Sequence, residues 1–250
     1  MSKIHTAWGI FREDGIVELL DSTSQFFCHK ALGDNSRWKY IDIKSKISSG
    51  YTDSPIFDPI EVKPEDVKYV TVPDSNVDKT NGQWDPKFVH NTLSRGMFSK
   101  KSVGKLKEGD WDRSDTRVDE LPEYKSIKEF IIDDTPLKET PFGERCIDYI
   151  SAGNERRGHT EPEDYIENRE EKIYNLYKSM KDQGYKSQNE LNPQRSKYDN
   201  FFDEIRVNIG RNGQILFNHT QGHHRLTIAK LLDVDSITVS VIVRHRNWER

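Results

Sequence analysis

The last fifty residues limit the possible folds most, because four local signals follow one another there without a gap. Glu204-Ile205-Arg206-Val207-Asn208-Ile209 alternates polar and β-branched residues, the period of a half-buried strand. Gly210-Arg211-Asn212-Gly213 contains Asn-Gly, the strongest short hairpin signal, and Gln214-Ile215-Leu216-Phe217 supplies the partner strand. Asn218-His219-Thr220-Gln221-Gly222 then turns the chain. From His223 to Leu232 the apolar residues recur at helical spacing, and Asp233-Val234-Asp235-Ser236 ends that run. Ile237–Val243 is a further strand with Arg244-His245-Arg246 at its end. The order is hairpin, tight turn, helix, strand.

Fifty residues cannot bury a stable core by themselves, so the sheet must take strands from earlier in the chain. The candidates are Val67–Val72 and the Val103–Leu106 region. Trp38-Lys39-Tyr40-Ile41-Asp42-Ile43 also alternates like a short strand, and Glu18-Leu19-Leu20 suits a helix. Asp74–Asp85 is polar and rich in turn formers, hence a loop. Tyr124, Ile127, Lys128 and Ile131 follow helix spacing. Cys146, Ile147, Tyr149 and Ile150 mark a second helix ended by Gly153. Residues 165–183 carry Ile166, Ile173, Leu176, Tyr177 and Met180 on one face, with a capping region at Thr160–Glu163 and a stop at Gly184. Gln188–Asn200 reads as surface loop. The fold class expected is α+β: a small mixed sheet with packed helices, carrying a long N-terminal elaboration (1–200) on the C-terminal segment (201–250), the two intertwined as one domain.

Composition narrows the function. Hydrophobic residues are 33% and charged residues 32%, with mean hydropathy −0.87, so much of the chain is solvated; five Trp, ten Tyr and eleven Phe still suffice to anchor a core. A net charge of −4 argues against a dedicated DNA-binding surface. Two distant cysteines, Cys28 and Cys146, without a CxxC pattern, suit a reducing compartment. No apolar run reaches the ~18 residues of a membrane span, and the start lacks a signal-peptide core. The expected location is cytoplasmic.

Chemistry concentrates at the turn. A glycine turn feeding a helix leaves backbone N–H groups free at the helix start, and these, with the helix dipole, attract anions. Gln221, Gly222, His223, His224 and Arg225 are the candidate phosphate-binding residues. Arg225 has a fork suited to a phosphate, and His224 can orient a phosphate or shuttle a proton. Glu108, Asp110 and Asp112, in Lys107-Glu108-Gly109-Asp110-Trp111-Asp112, are candidate base or magnesium ligands for a phosphoryl transfer; an Asp-rich turn that satisfies its own backbone is the equal alternative. Four of the eight histidines, His219, His223, His224 and His245, lie in the last 32 residues. The adjacency of His223 and His224 and the lack of a nearby Cys argue against structural zinc, so no metal site is expected from them. Neither a P-loop nor a protein-kinase signature occurs.

The run Asp203–Trp248 resembles the ParB/sulfiredoxin superfamily, in which a hairpin leads into a Gly-x-x-Arg turn and the following helix start holds nucleotide phosphates. The resemblance covers about a fifth of the chain. Sulfiredoxins carry a cysteine in this turn, where this chain has His223, which speaks against their chemistry. A branch of free-serine kinases carries Asp-Gly-His-His-Arg; Gly222, His223, His224 and Arg225 match it, and Gln221 departs from it. The resemblance implies a nucleotide ligand (ATP, ADP or CTP, with magnesium) and a phosphotransfer to a small hydroxylated acceptor. The alternatives are a nucleotide-gated binding module without transfer chemistry and a ParB-like DNA-acting protein or nuclease. The helix-turn-helix region of ParB-type partition proteins is missing from its usual place.

Overall fold

A computed structural model of the chain describes residues 34–48, 50–71 and 98–248. The expected helix at Glu18–Leu20, the loop at Asp74–Asp85, and the positions Cys28 and Val72 lie outside the described residues. The architecture is α+β, with seven α-helices and one six-stranded mixed sheet among the described residues. The strands are β1 (Ile60–Val62), β2 (Tyr69–Val70), β3 (Leu106–Lys107), β4 (Ile205–Ile209), β5 (Ile215–Phe217) and β6 (Ile237–His245). The helices are α1 (Asp34–Ser45), α2 (Pro122–Ile132), α3 (Pro141–Ser151), α4 (Pro162–Gln183), α5 (Gln188–Leu191), α6 (Lys197–Asp203) and α7 (His223–Leu231).

Three C-terminal strands form the middle of the sheet, and earlier strands complete its edges. β4 and β5 are the antiparallel hairpin, with Val207 opposite Phe217 and Ile209 opposite Ile215. β6 returns parallel to β4, with Ile205 opposite Val239, as a helix crossover requires. β2 adds in parallel to β5 through Tyr69 and Val70. The outer edge of the long β6 takes two short partners in turn: β1 covers Ile237–Val239 and β3 covers Arg244–His245. Both strand regions anticipated from the N-terminal half are therefore in the sheet, each only two residues long.

Alternation along the strands makes two cores. Ile205, Val207, Val239 and Val241 face α7, where Leu226 and Ala229, one helical turn apart, meet them together with Val67, Val70 and Leu121. The opposite face buries Phe201, Phe202, Leu216, Ile242, Phe57 and Trp111. A third core joins α2, α3 and α4 to the back of α7 through Ile228, with Ile127, Cys146, Tyr165 and Ile173. α7 is thus wedged between the sheet and a layer of three helices. Each such aliphatic side chain contributes about 1.5–3 kcal/mol by leaving water.

Two local readings are corrected. Trp38–Ile43 is not a strand but part of α1. Its period-2 alternation coincides with a helical stripe, because Trp38, Ile41 and Ser45 turn inward while Ile43 is 62% exposed. Gln188–Asn200 is not simply loop, since α5 and the start of α6 lie in it. Ser187 and Glu190 form a capping box, Ser196 caps α6 by accepting from the Asp199 N–H, and Phe201 and Phe202 anchor that helix in the core. Among the described residues no helix is long and apolar enough to cross a membrane.

Candidate functional site

The turn is built on buried amides. Asn218 is fully buried; its side chain donates to Asn208 Oδ1 at 3.1 Å, and Asn208 in turn donates to Thr71 Oγ1 at 2.8 Å. The Arg206 N–H donates to the Gln221 carbonyl at 3.3 Å, pinning the end of the turn to β4. Gly222 has φ +98°, and a Cβ there would lie 2.7 Å from the Ile205 Cα. Only glycine lets the chain enter α7 this close to the sheet. Gly222 offers no side-chain cap, and the first intrahelical bond runs from the Leu226 N–H to the Gly222 carbonyl. The amides of His223, His224 and Arg225 therefore have no helical acceptor and lie at the positive end of the dipole.

Arg225 does not point into that site. Its Nη1 donates to Glu204 Oε2 at 2.8 Å, and its Nη2 donates to the Tyr185 hydroxyl at 2.6 Å and the Lys186 carbonyl at 2.8 Å. Its guanidinium also stacks 4.9 Å from the Tyr185 ring centroid. Glu204 is 1% exposed; burial raises its carboxyl pKa against the pull of Arg225. The arginine of the turn motif thus ties α7 to the segment that follows α4.

The positive charge at the turn comes from other helices. Arg169, on α4, is 8% exposed. Its Nη2 lies 3.0 Å from His224 Nε2. A guanidinium can only donate, so His224 Nε2 carries the lone pair and its ring is neutral. Burial, reinforced by Arg169, His223 and Arg157, pushes the His224 pKa down to about 3. Arg169 Nε is buried without a hydrogen-bond partner, and among the described residues Arg169 has no carboxylate partner. Arg156 donates to the Tyr165 hydroxyl at 2.9 Å. Arg145, on α3, pairs with Glu123 Oε1 at 2.6 Å and leaves its Nε and Nη1 buried and unpartnered.

Glu123, near the start of α2, is the carboxylate of this cluster. Burial alone would raise its pKa; its neighbours His223, Arg145 and His219 override that and hold it at about 2. Its Oε2 is 4.0 Å from His219 Nε2 and is buried without a hydrogen-bond partner. The His219 and His223 rings meet edge to face with centroids 4.2 Å apart, and His223 Nε2 donates to the His219 carbonyl at 2.8 Å. Burial lowers the His223 pKa as well.

Folding does not bring the other anticipated carboxylates to the turn. Asp112 is buried, with its oxygens on the Arg211 backbone N–H (2.7 Å) and guanidinium; burial raises its carboxyl pKa but Arg211 lowers it further, for a net depression. Asp110 pairs with Arg211 and Arg113, and Glu108 pairs with Arg246. Arg211 lies past the far end of β4, whereas Gly222 packs on Ile205 at its near end. Six residues of strand put these groups roughly 20 Å apart. Here Asp112 fastens the hairpin loop to the strand β3 region. Sequence reasoning missed Glu123, Arg145, Arg156 and Arg169. The one available signal was an arginine, Arg169, on the apolar face of a helix near Tyr165 and Ile166.

In comparisons with known proteins the chain matches no family model, no curated protein and no solved structure.

Proposed function

We propose that the chain is a nucleotide-binding protein that holds phosphate at the start of α7, between the His223–Arg225 amides and Arg169. The observation that carries this reading is Arg169. A buried guanidinium without a counter-charge costs several kcal/mol, and this one sits against a helix N-terminus with three unused amides. An anion answers both at once, and the planar fork of an arginine suits phosphate oxygens. Gly222 permits the close approach, and His224, locked neutral by Arg169, orients the fork. The hairpin–turn–helix order and the Gly-His-His-Arg run supply the resemblance to nucleotide-holding turns.

Transfer of the phosphoryl group to a small hydroxylated acceptor is the fuller form of this proposal. Glu123, beside His219 and His223, is the carboxylate that would serve it. A carboxyl held at about 2 stays ionised and is a weak base. That observation favours a second reading, a nucleotide-gated module that binds and changes partner without transfer. Calorimetric titration of the full chain with ATP, ADP and CTP, with and without magnesium, tests the binding. We expect saturable binding of at least one nucleotide by wild type and its loss in Arg169→Met. Equal affinity in the two proteins would end the proposal. Turnover of the bound nucleotide only when polyols or hydroxy-amino acids are added would select the transferase over the module.

A further inference from the structure

The phosphate reading rests on the amides of α7 and on Arg169; the side chains of Glu123, His219 and His223 gather beside them. One ligand atom from each of these residues lies within 4.8 Å of the others. The geometry points to a site for one divalent transition-metal ion of the zinc, cobalt, iron(II) or manganese class, held by these three side chains beside the start of α7. Two imidazoles and a carboxylate with positions left open are a donor set such ions take. Magnesium, which favours oxygen donors, is poorly matched to it.

The surroundings fit ligation. Bond lengths of ~2.0–2.2 Å place two donors of a tetrahedral ion about 3.4 Å apart; the 4.0 Å between Glu123 Oε2 and His219 Nε2 closes with a small side-chain rotation. Arg145 occupies only Oε1 of Glu123, and the other oxygen is buried with no partner. A lone carboxylate oxygen in that state needs a ligand. The His219 carbonyl fixes the His223 tautomer, because its Nε2 must carry the proton, which leaves Nδ1 with its lone pair. A ligating imidazole held through its other nitrogen by a carbonyl is the usual outer-shell arrangement.

The arginines nearby oppose a cation until an anion joins it. Metal and phosphate are therefore expected to strengthen each other, reciprocally; this coupling rests on the phosphate reading, while the metal site itself does not.

The test uses the full chain, stripped with a chelator and titrated with cobalt(II) while its visible d–d absorption is followed, first without phosphate and then with it. We expect one saturable equivalent in wild type. We expect at least a roughly 100-fold loss of affinity in His219→Ala, more than removal of an outer-shell partner costs, and displacement of cobalt by zinc. Glu123→Gln, which keeps the shape of the side chain, is expected to lose the same signal. Circular dichroism of each stripped variant establishes that it is folded. Cobalt bound by wild type but not by folded variants supports the site even if phosphate proves not to bind. Wild type that takes up cobalt no better than folded His219→Ala overturns it, even if phosphate binds well.

Discussion

Replacing Arg169 by methionine separates a ligand-binding arginine from a structural one. The substitution removes a hydrogen bond from a charged donor to His224, worth about 1.5–3 kcal/mol. It also removes a cation–π contact with Tyr165 at 5.9 Å, worth about 0.5–1 kcal/mol. Against these stands the desolvation of a guanidinium that is 8% exposed with no carboxylate partner, several kcal/mol. A methionine of similar length fills the slot without that cost. The terms nearly cancel, so the ligand-free variant should unfold within about 1 kcal/mol of wild type. With phosphate ligand at a hundred times its dissociation constant, wild type should gain about 2.7 kcal/mol and the variant nothing. For a domain of this size that gain is about 5–11 °C in melting temperature. The assay is calorimetric or fluorescence melting of both proteins with and without the best-binding nucleotide. Two results refute the reasoning: a variant that keeps the ligand-dependent gain, or one that loses several kcal/mol without ligand.

Arg225→Met is expected to behave in the opposite way. It strands the buried Glu204 and should cost roughly 3–5 kcal/mol in urea unfolding with ligand absent. Gly222→Ala should cost more than about 2 kcal/mol, from ~1–2 kcal/mol for a left-handed residue plus a Cβ pressed on the Ile205 backbone; a melting temperature unchanged by it would mean the turn is loose. Acid should weaken the fold through His224. Its folded pKa is depressed to about 3 from 6.5, so the unfolded chain takes up the proton first and stability falls as pH drops from about 6.5 toward 3. His224→Gln should flatten unfolding curves in that window. Glu123 adds a second loss, since its carboxylate stabilises the fold above its ordinary pKa of 4.5 and that contribution disappears as pH falls toward 2.

The C-terminal segment was legible because its signals are local. Alternation set β4, Asn-Gly set the hairpin, Gly222 set the turn, and the 3.6-residue period set α7; each needs only neighbours in sequence. The strand regions around Tyr69 and Leu106 were also legible, as the pieces such a small sheet lacked. Reading failed where two periods coincide over a short run, as at Trp38–Ile43, and where a helix of one turn is fixed by Ser187 and Glu190 rather than by an apolar stripe. The site was legible only by half. Its backbone comes from the turn, but its charged side chains come from α2, α3 and α4, brought in by the core around Ile228, and no spacing along the chain records that.

The same separation explains why Arg225 was the obvious choice and Arg169 the better one. An arginine in the first turn of a helix is well placed for an anion at that helix start only if nothing else claims its fork. Here Glu204, Tyr185 and the Lys186 carbonyl claim it, and all three come from the chain that leads from α4 into β4. Arg225 therefore holds the start of α7 against the sheet, and its effect on any ligand is to fix where the His223–Arg225 amides point. Arg169 reaches the same helix start from α4, where it meets the lone pair of a neutral imidazole and the Tyr165 ring but, among the described residues, no carboxylate. Positioning and charge have been given to different arginines, so the two variants should differ in kind. Loss of Arg225 should lower stability and ligand affinity together, as the helix start loosens, whereas loss of Arg169 should abolish affinity in a protein that is otherwise as stable as before.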